Sequence, residues 1–275
     1  MPTLETNPPS TTPSLGTIQE TMLITLWARA RESLRADAII RDERSIDLCN
    51  AINYDFDRFR AGWKSQIGVA VRDRLFDRIV RDFLKRHPEA TIINLGAGLD
   101  LRFFRVDNGT VRWFDLDLPD AIALRRIYIK ETDRLTFLEG SALDAPWMEY
   151  VRNQGNRPTL LIAEGVLMFF EQDQVRDLFD RYSATFRGGE MLFDCIGPLM
   201  VRFPFLHDTL PRTKARFTWG VRKKSDILKW GKNWQVRDYR SLLDECPDRW
   251  RWMRWCRLVP ALRRQFFALH LKCGD

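Results

Sequence analysis

No apolar run in this 275-residue chain approaches the roughly 18 residues that a membrane-crossing helix needs. Disulfide and zinc frameworks are also missing. The five cysteines (Cys49, Cys195, Cys246, Cys256 and Cys273) are odd in number, far apart and form no CxxC pair. Reduced thiols and no metal are the simplest expectation, which suits a cytoplasmic protein. The first sixteen residues, MPTLETNPPSTTPSLG, contain neither a basic stretch nor an apolar core, so they read as a flexible tail rather than a secretory signal. There is no internal repeat. Hydrophobic residues at 45% and charged residues at 29% exclude a mainly disordered chain, a collagen and a coiled coil.

Charge is scarce as an imbalance except in one place. The net charge is +7. The window 198–235 alone holds nine cations (Arg202, Arg212, Lys214, Arg216, Arg222, Lys223, Lys224, Lys229 and Lys232) against Asp208 and Asp226. The rest of the chain is nearly neutral. A general nucleic-acid coat is therefore not expected, and the basic window needs a local explanation. It also carries Phe203, Phe205, Phe217, Trp219, Trp230 and Trp234. Cations mixed with aromatics suggest a lid over an apolar, acidic substrate.

Residues 17–275 read as a single α/β domain. A helix is expected from Thr17, with Thr17 and Glu20 as a capping box and Met22, Leu23, Leu26 and Trp27 on its apolar face. A second, from Ile67 to Arg86, buries Val71, Leu75, Ile79, Phe83 and Leu84. The period then shortens. Strands are expected at Thr91–Leu95, Val111–Leu116, Leu135–Gly140, Thr159–Ala163 and Glu190–Ile196, with helices at Ala121–Lys130 and Glu171–Phe186 between them. Strands alternating with helices predict a mostly parallel sheet covered on both faces. Toward the C-terminus a helix is expected at Val236–Asp244. Closing strands are expected in RWMRWCRL, which could also be helical, and in QFFALHLKC. Trp250, Trp252 and Trp255 read as packing residues.

Gly96-Ala97-Gly98 directly follows the first strand, and Asp117 ends the second, 19 residues after Gly98. Glycines let a ligand approach the backbone, and a carboxylate at that strand tip can accept two ribose hydroxyls. The third glycine of a dinucleotide loop is missing, since the loop reads GAGLDL. That glycine serves the helix packed over a pyrophosphate. An adenosyl ligand without phosphates fits better, and S-adenosyl-L-methionine is the commonest. Asp115, on the same strand face as Asp117, reads as either a helper or a rim charge. Asp100 and Arg102 read as a structural pair, and His87 and His270 as structural residues.

Four blocks together resemble the leucine carboxyl methyltransferase family, in its bacterial polyketide O-methyltransferase branch. They are TMLITLWARARES (21–33), IINLGAGLDLRFFR (92–105), VRWFDLDLP (111–119) and LLIAEGVLMFF (160–170). The resemblance implies a class I methyltransferase fold, Rossmann-like, that binds S-adenosyl-L-methionine at the first glycine loop. It maps the methionine-carboxylate arginine onto Arg72, with Arg29 as a second candidate. It maps the glycine motif onto Gly96, Ala97 and Gly98, the ribose acid onto Asp117, the adenine side onto Ser141 and Ala142, and the acid after the fourth strand onto Glu164. Two positions depart from the family pattern: Leu101 stands where threonine is usual, and Phe169 where tyrosine is usual. Nothing beyond Pro198 carries the resemblance.

The expected reaction is O-methylation of a small molecule, in secondary metabolism. A carboxylate acceptor is already ionised at neutral pH and needs only positioning, whereas a phenol needs a base or a cationic neighbour. Cations are abundant and bases few, so the expected acceptor is a carboxylate or acidic hydroxyl bound by Arg212, Arg216 and Arg222, with His207 a candidate general base. No nucleic-acid or membrane partner is expected. Two alternatives stand beside this reading: a carboxyl methyltransferase of peptide or protein C-termini, and a non-catalytic or dehydrogenase-like nucleotide module.

Overall fold

The alternation of apolar strands and amphipathic helices builds one seven-stranded sheet in the order β3-β2-β1-β4-β5-β7-β6. The computed structural model describes residues 21–274 except 204, 206, 210–214 and 231–233. Three helices precede the sheet: α1 (Thr21–Ser33), α2 (Glu43–Ala51) and α3 (Trp63–Arg86). Then follow β1 (Thr91–Leu95), α4 (Arg102–Val106), β2 (Arg112–Asp117), α5 (Pro119–Tyr128), β3 (Leu135–Glu139), α6 (Pro146–Asn153), β4 (Thr159–Ala163), α7 (Gln172–Thr185) and β5 (Glu190–Ile196). The chain closes with α8 (Pro198–Arg202), α9 (Lys224–Leu228), β6 (Gln235–Ser241), α10 (Pro260–Arg263) and β7 (Phe266–Lys272). The tail at 1–16 and the capping box of Thr17 and Glu20 lie outside the described residues.

Strands β1 to β5 are parallel, and β7 runs antiparallel between β5 and β6. Alternate residues of each central strand face opposite cores. Ile92, Leu160 and Leu192 pack under α1, α3 and α5, whereas Ile93, Leu161 and Phe193 pack under α6 and α7. Burial on both faces is why β1, β4 and β5 read as nearly continuous apolar runs. The expected stripe of α3 is buried throughout.

One C-terminal expectation is corrected, and one open alternative is resolved. Residues 235–241 form strand β6 instead of a helix, and only Leu242–Asp244 turns helically. Val236 pairs with Leu271, Tyr239 pairs with Leu269, and the Tyr239 ring lies 5.4 Å from that of Phe267. Pairing with β7 outweighs a helical spacing of apolar residues, and an edge strand tolerates Arg237, Asp238 and Arg240 facing water. The segment Pro247–Leu258 takes the helical one of the two forms left open for it, as two short 3-10 stretches. Arg251 kinks it at φ 51°, and Trp250 anchors it by donating to the carbonyls of Leu242 (3.2 Å) and Glu245 (3.0 Å). Trp250 is packed as expected, but Trp252 and Trp255 are exposed.

Candidate active site

The carboxyl ends of β1, β2 and β4 open onto a cleft of about 190 Å³. Its lining includes all nine residues assigned above to the cofactor: Arg29, Arg72, Gly96, Ala97, Gly98, Asp117, Ser141, Ala142 and Glu164. Gly96 (φ 60°) and Gly98 (φ 45°) turn the loop through left-handed conformations, and a Cβ on Gly96 would fall 2.4 Å from Val166 Cγ2. Any side chain there is doubly disfavoured. The Gly98 amide donates to Asp117 Oδ2 (2.7 Å) and the Leu118 amide to Oδ1 (2.7 Å). Burial nevertheless raises the Asp117 carboxyl above its ordinary value, against the pull of these two amides.

Beneath the loop lies a buried frame that the sequence reading missed. Asp115 is no rim charge. It is 1% exposed and accepts from Asn94 Nδ2 (2.9 Å), Trp113 Nε1 (2.8 Å) and Arg125 Nη2 (2.5 Å). Arg125, fully buried, donates in turn to the carbonyls of Gly98 (2.9 Å) and Asp100 (2.8 Å), which fixes the loop from below. The available signal was position: Ala121, Arg125 and Tyr128 fall at i, i+4 and i+7 on the buried face of α5.

The second missed group is Arg102. Its pairing with Asp100 (2.9 Å) is as expected, but it also donates to Asp73 (2.7 Å), Asp77 (2.8 Å) and Glu164 (2.5 Å) while fully buried. Arg105 joins Asp77 (2.8 Å) and Asp42 (2.8 Å), and Arg29 donates to the Leu99 carbonyl (2.8 Å). Burial opposes ionisation of Asp100, yet Arg102 and Arg105 hold its carboxyl far below the usual range. Burial and then Glu164 raise the Asp73 carboxyl. Asp73 and Asp77, two acids inside the buried stripe of α3, were the sequence signal for a missing cation.

Glu164 is held between two guanidiniums, accepting from Arg72 Nε (2.8 Å) as well as from Arg102. Arg72 also donates to Asp194 (2.8 Å). The residues facing the cleft include three carboxylates (Asp100, Asp117 and Glu164) against two guanidiniums (Arg29 and Arg72). S-adenosyl-L-methionine, with a sulfonium, an ammonium and one carboxylate, is a net cation and fits this donor set. A diphosphate would bring like charge to it.

A second cavity, about 380 Å³, adjoins the first and shares Thr21, Thr25, Arg72, Gly165 and Phe169 with it. Apolar side chains dominate its lining, among them Ile24, Val69, Met168, Ile196, Phe217 and Phe266. Asp208 pins one side of it: its carboxylate accepts from the amides of Lys64 (2.8 Å) and Ser65 (3.2 Å), capping α3 from a segment 144 residues away. Gly62 permits this approach, since a Cβ there would fall 2.4 Å from Thr209 Cγ2.

The described part of the basic window turns apolar side chains to this cavity. Leu199, Met200, His207, Asp208 and Phe217 face the cavity, but Arg216 and Arg222 are exposed and line neither cavity. Arg212 lies outside the described residues. The rings of Trp219 and Trp230 pack at a tilt (5.3 Å between centroids) against the core over α7. His207 lines the cavity with its imidazole lowered to about 4, first by burial, with Asp208 opposing and Arg72 and Lys64 reinforcing.

A parallel sheet with one reversed strand and a cleft lined by a glycine loop and a strand-end carboxylate at the carboxyl ends of β1, β2 and β4 define a class I methyltransferase that uses S-adenosyl-L-methionine. Solved structures share this fold. A duf574 family protein from Streptomyces avermitilis superposes with a TM-score of 0.60 at 10% identity, covering 92% of this chain and 97% of the other. A candidate methyltransferase from Thermobifida fusca gives 0.56 at 14% identity, over 90% and 94%. The chain belongs to the leucine carboxyl methyltransferase family, whose profile matches residues 22–183. It is 32% identical over 241 residues to the tetracenomycin polyketide synthesis O-methyltransferase TcmP of Streptomyces glaucescens, covering 85% of this chain and 88% of that one. It is also 32% identical over 225 residues to the S-adenosyl-L-methionine-dependent methyltransferase dpfgK of Gibberella zeae, covering 73% and 74%.

Proposed function

We propose that the enzyme methylates a hydroxyl oxygen of an apolar small molecule of the polyketide type. The observation that carries this reading is the apolar cavity sharing the Arg72–Gly165–Phe169 wall with the cofactor cleft. The relative from Streptomyces glaucescens is named for polyketide O-methylation, and a cavity of this lining suits a molecule of that class.

When bound, S-adenosyl-L-methionine supplies a methyl carbon open to in-line attack. The chain's own part is positional. Asp117 receives the ribose hydroxyls, Ser141 and Ala142 flank the adenine, and Arg72 or Arg29 faces the methionine carboxylate. Gly165 and Phe169 set where the two cavities meet, so the acceptor oxygen is brought to the methyl in a dry, fixed geometry, a contribution worth several kcal/mol. Asp194 and Asp208 on the acceptor side are matched by Arg72 and Lys64, so the lining offers no excess of cations to a carboxylate and its apolar walls suit a neutral hydroxyl. His207 is neutral at pH 7 and able to take the hydroxyl proton as the methyl is transferred, although burial, which lowers it to about 4, makes it a weaker base than an ordinary imidazole.

The test is an acceptor screen with a labelled methyl donor across polycyclic phenols, free acids and peptides with free C-termini. Phenols should be turned over about tenfold or more faster than peptides. Preferential methylation of peptides or simple acids would overturn the reading.

A further inference from the structure

Among the described residues, large apolar side chains are strongly exposed at few places, and half of these fall in one stretch. Trp252 (61% exposed), Trp255 (59%), Leu258 (66%) and Val259 (47%) lie within eight consecutive residues. The same stretch is cationic. Between Arg249 and Gln265 the chain has no carboxylate, and Arg251, Arg254, Arg257 and Arg264 are exposed. Among the described residues Arg251, Arg254 and Arg257 make no ion pair; Arg251 and Arg254 instead lie over the rings of Trp63 and Trp255, each at 4.9 Å.

An apolar patch alone has many possible partners, and so does a basic one. Tryptophan and arginine side by side, with exposed leucine and valine next to them in the chain, match a partner that is anionic at its surface and apolar just beneath. A bilayer containing acidic lipids has that profile, with tryptophan rings favoured at headgroup depth and arginines at the phosphates. The patch also borders the acceptor cavity, because Trp252, Met253, Cys256 and Leu262 line its mouth. Phe205, 71% exposed, lies two residues before His207, which also lines the cavity.

We propose that residues 251–262 dock the enzyme on an anionic lipid surface, with the acceptor cavity opening onto that surface. This revises the expectation of no membrane partner, which rested on the lack of a spanning segment. The docking stands apart from the acceptor assignment and is measured without turnover.

The experiment is co-sedimentation of the full chain with phosphatidylcholine vesicles, with and without phosphatidylglycerol as half of the lipid. Binding should be about tenfold or more tighter to the anionic vesicles and should weaken with added salt. The double substitution Trp255→Ser with Leu258→Ser, and separately Arg254→Gln with Arg257→Gln, should each reduce it about tenfold. Both variants should retain S-adenosylhomocysteine binding, which shows that they are folded. The proposal is overturned if the chain stays in the supernatant with anionic vesicles. It is equally overturned if the tryptophan–leucine variant binds like the parent, or if polyglutamate competes as well as vesicles do, which would indicate an acidic protein partner.

Discussion

The two adjoining cavities are built on opposite physical plans. The cofactor cleft rests on buried charge: Arg102 and Arg125, both fully shielded, each hold several backbone or carboxylate oxygens. The acceptor cavity rests on shape. Its walls are aliphatic and aromatic and come from α1, α3, the segment after β5 and the C-terminal 3-10 helix. A site for one fixed cofactor can use exact hydrogen-bonding partners, whereas an apolar site can change its acceptor by changing volume. The contrast teaches that loss of a partner should be severe in the first region and graded in the second.

The largest effect should come from Arg102→Met. It leaves Asp73, Asp77 and Glu164 each short of one buried guanidinium partner, at about 3–5 kcal/mol, or a fall in melting temperature of about 10 °C. Retention of the parent's denaturation midpoint would show that the network is not structural. Next, Asp117→Ala should weaken S-adenosylhomocysteine binding about 100-fold by calorimetry, through lost hydrogen bonds to the ribose. An unaltered affinity would remove the ribose assignment.

Phe217→Ala belongs to the other region and should be milder. It should raise KM for an apolar acceptor about tenfold with the S-adenosylhomocysteine affinity unchanged. A change in the cofactor affinity instead would mean that the cavities are not separable.

A smaller effect is expected from acid. His207 titrates at about 4 in the fold, depressed mainly by burial, and near 6.5 when unfolded. Between those values the unfolded chain binds more protons, so stability falls as pH is lowered from 6.5 toward 4. His207→Gln should flatten this slope and raise the melting temperature at pH 5 by a few degrees relative to the parent, about 1 kcal/mol. An identical slope in both proteins would exclude His207 as its source. The smallest effect is expected of Arg216→Gln and Arg222→Gln. Both side chains are exposed and line neither cavity, so acceptor KM should stay within about twofold. A large increase would restore the sequence-based lid assignment.

Legibility in the sequence followed burial. Strands β1, β4 and β5 were found within their observed bounds because both faces are covered and their runs are apolar throughout. Strand β6 was missed because an edge strand carries Arg237, Asp238 and Arg240, and its pairing with β7 has no local signature. That the residues proposed for the cofactor line one cleft was legible because glycines and a strand-end carboxylate stand at fixed spacing along the chain. The acceptor side was not, since Ile24, Val69, Met168 and Phe266 are ordinary core residues until the fold gathers them around one space.

The amino-acid order alone determined the alternating strands and helices, the glycine loop and the position of Asp117, because each depends on neighbours within about 20 residues. Only the tertiary structure decided that Arg102 and Arg125 are buried, that Asp115 faces inward and that the basic window contributes apolar residues instead of Arg216 or Arg222 to the cavity. Those outcomes depend on which distant surfaces exclude water together, and exclusion of water is a property of the assembled fold rather than of any stretch of chain.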